Sequence, residues 1–268
     1  MTIHTAAVIS DKAEIAEDVT IGPNTVIEDD VRIGRGTKIG SNAHICAGTT
    51  IGNDCKLHMG VCLGDEPQDL AYKGAKSYLT IGDNNIFREH VTVHRGTTKD
   101  SSTKIGDNNY FMCLSHIAHN CIIGNNVIIC NNALLGGHVE VEDKAFISGG
   151  CLIHQFVRIG TLSMVGGGVR LNKDFPPFMS TGNDNIVTAY NTIGLRRAGI
   201  TIQARKEIKE AFRFLYHADL NQSQALNKLE EIATSQEARH IIDFIRVSKR
   251  GVCASRSNRD IASVPESS

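Results

Sequence analysis

Residues 15–56 read IAEDVT, IGPNTV, IEDDVR, IGRGTK, IGSNAH, ICAGTT, IGNDCK: seven consecutive hexads, each opening on isoleucine. The phase extends both ways, backward to Ile9 and Ile3 and forward through Leu57 and Leu63, then Ile81, Phe87 and Val93, then Ile105 to Leu171. Only Asp69, Ala75 and Lys99 break it, so 26 of 29 positions at this spacing hold a large apolar side chain. A period of six fits neither a helix, at 3.6, nor a lone strand, at 2. It fits a chain that makes a short strand, turns and repeats, with three hexads closing one coil of a parallel β-helix. Each inward aliphatic then stacks on its counterpart three hexads later, as Ile9 on Ile27.

The other repeat positions agree. Glycine often follows the periodic aliphatic (Gly22, Gly34, Gly40, Gly52, Gly82, Gly106, Gly124, Gly160), and Asn or Asp often comes shortly after. Both are expected to supply the positive φ that sharp corners require. Small residues such as Thr25, Thr37, Ala43 and Thr49 sit two before the aliphatic, where the prism interior has less room.

The composition, 41% apolar and 21% charged over 268 residues, is that of a water-soluble globular protein. No segment approaches the ~18 apolar residues of a membrane span, and no basic-then-apolar leader opens the chain. We therefore expect no membrane span and a cytoplasmic location. The eight cysteines form no C-x-x-C pair and read as small apolar fillers in a reducing compartment, without a cysteine zinc site.

Two segments lack the repeat, at about 64–79 and 95–103, and are expected to leave the prism as loops, where function concentrates. We place the β-helix at 1–191 and a helical domain at 192–252. Within the latter, Ile202, Ile208, Phe212 and Leu215 recur at helical spacing, and two further helices are expected at 222–234 and 236–249. Residues 253–268 read as a disordered polar tail. Residues 1–194 hold 15 Lys and Arg against 20 Asp and Glu, while residues 195–260 hold 13 against 8. A basic helical region on an acidic prism suits an acidic partner. Nucleic acid is not expected, since aromatics are only 5% and no stacking platform accompanies the charge.

Histidines mark the candidate site. Ile117, Leu135 and Ile153 lie on one wall, one coil apart; His119 follows the first by two positions, His138 the second by three, and His154 the third by one. Coils ~4.8 Å apart make His119 and His138 neighbours, with His154 a coil further on. Such a cluster suits a general base or a metal.

These stretches, His116-Ile-Ala-His119-Asn-Cys121, Asn131-Asn-Ala-Leu-Leu-Gly-Gly-His138-Val139 and His154-Gln-Phe156, closely resemble the UDP-N-acetylglucosamine 3-O-acyltransferases of lipid A biosynthesis. So do Gly64-Asp-Glu-Pro-Gln-Asp69, His94-Arg-Gly-Thr97 and Gly194-Leu-Arg-Arg197, in order over nearly the whole chain. The resemblance implies a homotrimer of left-handed parallel β-helices with a C-terminal α-helical domain, and no metal or other cofactor. It implies transfer of a 3-hydroxyacyl chain from acyl carrier protein to the 3-hydroxyl of UDP-N-acetylglucosamine. Carried over by position, His119 is the general base and Gly137 the backbone oxyanion donor. Gln68 and Asp69 hold the glucosamine; His116, His138, His154 and Gln155 line the nucleotide-sugar cleft. Arg196 and Arg197 meet the pyrophosphate, and Gly167 limits acyl-chain length.

The chain departs from the family pattern twice. Asn120 stands where an aspartate usually follows the catalytic histidine, and Ala71 where a lysine is common, with Lys73 two positions on. An amide can orient an imidazole but cannot offset the charge it acquires. These departures leave N-acylation of a 3-amino acceptor open, as well as a non-catalytic sugar-nucleotide-binding scaffold. Three converging histidines also admit a metal-dependent lyase or hydrolase.

Overall fold

The computed structural model describes residues 2–255. It is a left-handed parallel β-helix carrying a small group of helices. Most strands are two residues long, and they stack into three walls of 11, 9 and 8 strands. The first wall starts at Thr2–Ile3, the second at Val8–Ile9 and the third at Glu14–Ile15. Ile3 pairs with Ile21 and Ile129 with Ile147, each one coil of three hexads apart. The periodic aliphatics point inward and fill the core, with Phe87 and Phe111 stacked at 4.7 Å near its middle.

The pairing across the two excursions explains why the phase survives them. Ile51 pairs with Ile81, five hexads on, and Phe87 with Phe111, four hexads on. Beyond the ordinary three hexads of a coil, the first insert therefore adds two and the second adds one. The three broken positions, Asp69 and Ala75 in one insert and Lys99 in the other, are the ones those inserts contain. The loops are shorter than the sequence suggests, because Cys62–Asp65 and Tyr78–Ile81 flank the first and Thr92–His94 and Ser102–Ile105 the second as paired strands. Large inward Leu79, where a small residue usually sits, hid that pairing.

The corner glycines act differently from expectation. Positive φ falls three positions after the aliphatic, at Asn24, Asn42, Asn108 and Asn126 among others. The glycines directly after the aliphatic are needed because the next coil lies against them. A Cβ on Gly34 would stand 2.6 Å from the backbone carbon of Gly52, and one on Gly106 would run into Asn125 Oδ1. That closeness lets side chains clip coil to coil: Asp83 Oδ1 accepts from Asn53 N–H, Asp107 from Asp83, Asn125 from Asp107 and Asp143 from Asn125, at 2.6–2.8 Å. Cysteines join the same scheme, with Cys55, Cys121 and Cys151 donating Sγ–H to the carbonyls of Gly82, Gly136 and Gly166. All eight thiols are free.

Beyond Leu171 the first wall continues through Met179–Thr181 to an antiparallel strand, Ala189–Tyr190. A short helix without a periodic signal in the sequence, α1 (Thr192–Arg197), follows. Then come α2 (Ile202–Tyr216), α3 (Gln222–Ile232) and α4 (Gln236–Arg246), the last two ending earlier than expected. Polar anchors dock them on the prism. Glu142 accepts from His240 Nε2 at 2.6 Å, and Arg158 lies 4.1 Å from the Phe244 ring centre while donating to its carbonyl. Buried Asp174 accepts from Arg158 N–H and Ser248 Oγ–H. Cys253, which opens the expected tail, is instead buried and donates its N–H to Asp174 O. Ala254 bridges Ile186 and Ser255 donates from Oγ to Tyr216 O, while 256–268 lie outside the described residues.

Candidate active site

His119, Gly137 and Gln155 occupy one position on successive coils, at the corner between the second and third walls. They open on a cleft of about 740 Å³ that is also lined by Gln68, His116, Leu134, Leu152, His154 and Arg170. The cleft runs along the outer face of the second wall, where His116, Leu134, Leu152 and Arg170 stand in register.

Hydrogen bonding orients the His119 ring and places a hydrogen on Nδ1. Asn120 Oδ1 accepts from the Thr97 N–H at 3.1 Å and from Thr97 Oγ1–H at 2.9 Å. A backbone N–H only donates, so the amide atom it meets is the oxygen. His119 Nδ1, 3.0 Å from the same oxygen, must therefore carry a hydrogen. Nε2, the other ring nitrogen, is left to the cleft, with Asp69 Oδ2 3.9 Å away. Asp69 is held in turn by the Ala71 N–H. His119 is 8% exposed and its ring backs onto Gly137, where a Cβ would run into its Cε1. The Gly137 N–H makes no hydrogen bond among the described residues, so it is available to an oxyanion.

Burial disfavours the charged form of three neighbouring histidines. Burial pushes His116 down to about 4, with His94 and His119 adding to the effect; its Nδ1 lies 2.7 Å from Thr92 Oγ1. Burial also lowers His94 and His138. His154 donates from Nδ1 to Gln155 O.

Not every candidate converges. His138 touches His119 edge-on at 5.3 Å but stacks on Phe156 at 4.6 Å, outside the cleft lining. Its position, three after the aliphatic, turns it to the far side of the corner. Arg196 and Arg197 end α1 elsewhere; Arg197 lines a second concavity of about 860 Å³ on the first wall, with Phe146, Met164 and Tyr190. The two concavities share no lining residue. Gly167 is exposed, and a Cβ added to it would meet only Gly149 O, at 3.5 Å, so a side chain fits there. Lys73 donates to Leu70 O in its own loop and does not line the cleft.

Three supports escape sequence reasoning. Thr97 holds Asn120 from the second excursion. Arg95, beside it, pins the first excursion through Gly64 O at 2.9 Å and Tyr72 Oη at 3.0 Å. Arg170, paired with Asp184 at 2.7 Å, closes the far end of the cleft. Arg95 and Thr97 show in the sequence only as letters of a motif, and their contacts, like those of Arg170, depend on how the loops and the last coil fold back.

This geometry matches known proteins. Residues 30–65 and 102–137 match the family model of bacterial transferase hexapeptides, and 174–253 that of UDP-N-acetylglucosamine O-acyltransferase domain 2. An acyl-[acyl-carrier-protein]–UDP-N-acetylglucosamine O-acyltransferase of Ectopseudomonas mendocina is 46% identical over 94% of this chain and 98% of its own. One from Gloeothece citriformis is 47% identical over 69% of this chain and 67% of its own. Among solved structures, the UDP-N-acetylglucosamine acyltransferase of Francisella novicida superposes over all of both chains at 34% identity, with a TM-score of 0.93. That of Bacteroides fragilis covers 93% of this chain and 98% of its own at 41% identity, with a TM-score of 0.90. The chain therefore belongs to the UDP-N-acetylglucosamine O-acyltransferase family.

Proposed function

We propose that this chain transfers a 3-hydroxyacyl group from acyl carrier protein to the 3-hydroxyl of UDP-N-acetylglucosamine, the first step of lipid A biosynthesis. The carrying observation is His119, its Nδ1 committed to Asn120 and its Nε2 turned to a cleft beside a free Gly137 N–H. Nε2 takes the proton of the sugar hydroxyl as its oxygen attacks the thioester carbonyl. The negative charge gathers on the carbonyl oxygen and meets the Gly137 N–H. Collapse breaks the C–S bond, and the imidazolium returns its proton to the departing thiolate. Gln68 and Asp69 hold the glucosamine ring, while His116, His154 and Gln155 line the cleft along the nucleotide sugar. His138 backs the base, and Gly167 leaves the acyl groove open.

Arg196 and Arg197 meet the pyrophosphate from a second copy, in a homotrimer. Support comes from the separation of the two concavities, which lie on different walls of one chain and would meet only between chains. A reducing, cytoplasmic setting agrees with eight free thiols and with a carrier-protein donor. No helix among the described residues is long and apolar enough to cross a membrane. The O-acyltransferase names of the relatives do not favour the 3-amino acceptor or the non-catalytic scaffold.

The test is direct. The protein is incubated with acyl carrier protein thioesters and UDP-N-acetylglucosamine or its 3-amino analogue, and the products are identified by mass. An O-acylated sugar nucleotide is expected. Transfer to the 3-amino analogue alone, or to neither, would overturn the reading.

A further inference from the structure

A second group of chemistry-bearing side chains lies on the second wall, toward the N-terminus and away from the cleft. Glu28 and Cys46 hold the same corner position on adjacent coils. His44 and Cys62 face outward on paired strands, likewise one coil apart. The register therefore brings two pairs of donors into adjacent columns. One donor atom each from Glu28, His44 and Cys46 lies within 4.8 Å of the others. Cys62 stands one coil beyond His44 in register with it, and its thiol lies close enough to that of Cys46 for the two to interact. The carboxylate is fixed at both oxygens, since Oε1 accepts from His44 Nε2 at 2.9 Å and Oε2 from the Ala47 N–H at 2.9 Å. Cys46 is buried, while the His44 side chain is 45% exposed and leaves a route from solvent. A hydrogen bond accounts for Glu28 and His44 but not for two thiols beside them.

We propose that Glu28, His44, Cys46 and Cys62 form a zinc site that ties three successive coils together. Two thiolates, one imidazole and one carboxylate make a borderline-soft, four-coordinate set suited to Zn²⁺. Ligands ~2.0–2.3 Å from one tetrahedral ion stand within ~4 Å of each other, so small side-chain adjustments close the present cluster around it. No C-x-x-C motif announces the site, because its spacing is the coil length; these two cysteines thus depart from the filler role expected of all eight. The role is structural: Cys62 begins the strand that runs into the first excursion, so the ion fastens the root of that loop.

The test uses the full-length protein in a non-chelating reductant. Equilibrated with micromolar free zinc, it should retain one ion per chain, and Co²⁺ should give a thiolate-to-metal charge-transfer band. Cys46→Ser and His44→Ala should each weaken binding by about a hundredfold or more. The double change Cys46→Ser with Cys62→Ser should abolish the band. Metal-free melting temperatures close to the wild-type value would establish that the variants fold. Wild-type protein that retains no zinc, or a Co²⁺ form without the band, would overturn the proposal. So would zinc uptake unchanged in both single variants, which would put the ion on the histidines near His119 instead.

Discussion

At Asn120 a single side-chain oxygen receives three donors, two from Thr97 and one from His119. This residue sets the tautomer of the base without contributing charge, and the nearest carboxylate, Asp69, faces the opposite ring nitrogen. An aspartate would keep all three acceptor bonds and add a negative charge beside Nδ1. Asn120→Asp should therefore raise the His119 pKa and move the acid limb of the kcat/KM pH profile upward, with plateau turnover unchanged or higher. An unmoved limb would mean that Asp69 already provides the compensation. Gly137→Ala gives the complementary test. Its methyl would overlap the imidazole edge, so kcat should fall about 10²-fold or more while the melting temperature changes little. The roles of His119 and Gly137 were legible through the family resemblance, and the gapless register of three hexads per coil brings the two together. Asp69, Thr97 and Arg95 were legible as motif letters only. Their contacts depend on loop paths through inserts, which periodicity does not describe.

At the scale of elements, the corner and the helix show where sequence patterns mislead. Glycine and asparagine at the corners look interchangeable as turn formers, yet one is selected by close approach and the other by positive φ. In α2, Glu207 and Arg205 look like members of a solvated charged face. Glu207 is instead buried and holds the turn that leads into α4, accepting from Gln203, Thr234 and the N-cap Ser235. Burial alone would raise its carboxyl, but the Ser235 and Thr234 hydrogen bonds hold it at about 2. A carboxyl lowered in the fold stabilises it above the ordinary value of 4.5, and that contribution is lost as pH falls toward 2. Glu207→Gln should cost about 1–3 kcal/mol at pH 7. In urea titrations the gap from wild type should narrow between pH 4.5 and 2; a gap independent of pH would contradict the anchoring role of the charged carboxylate. Half-buried Arg205 also leaves the docking surface, its Nε lying buried and without a partner among the described residues. Of the three basic side chains at 205, 206 and 209, exposed Lys206 and Lys209 remain. Reversing both to Glu should raise KM for acyl carrier protein, less so at high salt, and leave KM for the sugar nucleotide unchanged. An unaltered KM for the carrier at low salt would return them to a solvated face.

For the whole molecule, a prism built of hexads tolerates only inserts that restore its phase, and those carrying Asp69, Ala75 and Lys99 do so by whole repeats. Both inserts deliver groups to one histidine: Asp69 from the first, and Thr97, through Asn120, from the second. The periodicity made the prism readable from end to end. It could not reveal that the arginines and the histidines sit on different walls, because that depends on where α1 is carried after the last coil. Catalysis in this scheme rests on a base held in one chain within a site completed by another. The measurement that tests it most directly is the turnover of His119→Ala against wild type, with the same acyl carrier protein thioester and UDP-N-acetylglucosamine. Assembly state is checked alongside by sedimentation. A loss of about 10²–10⁴-fold with the assembly state unchanged from wild type is the predicted result. A variant that keeps more than half of the wild-type turnover would contradict it.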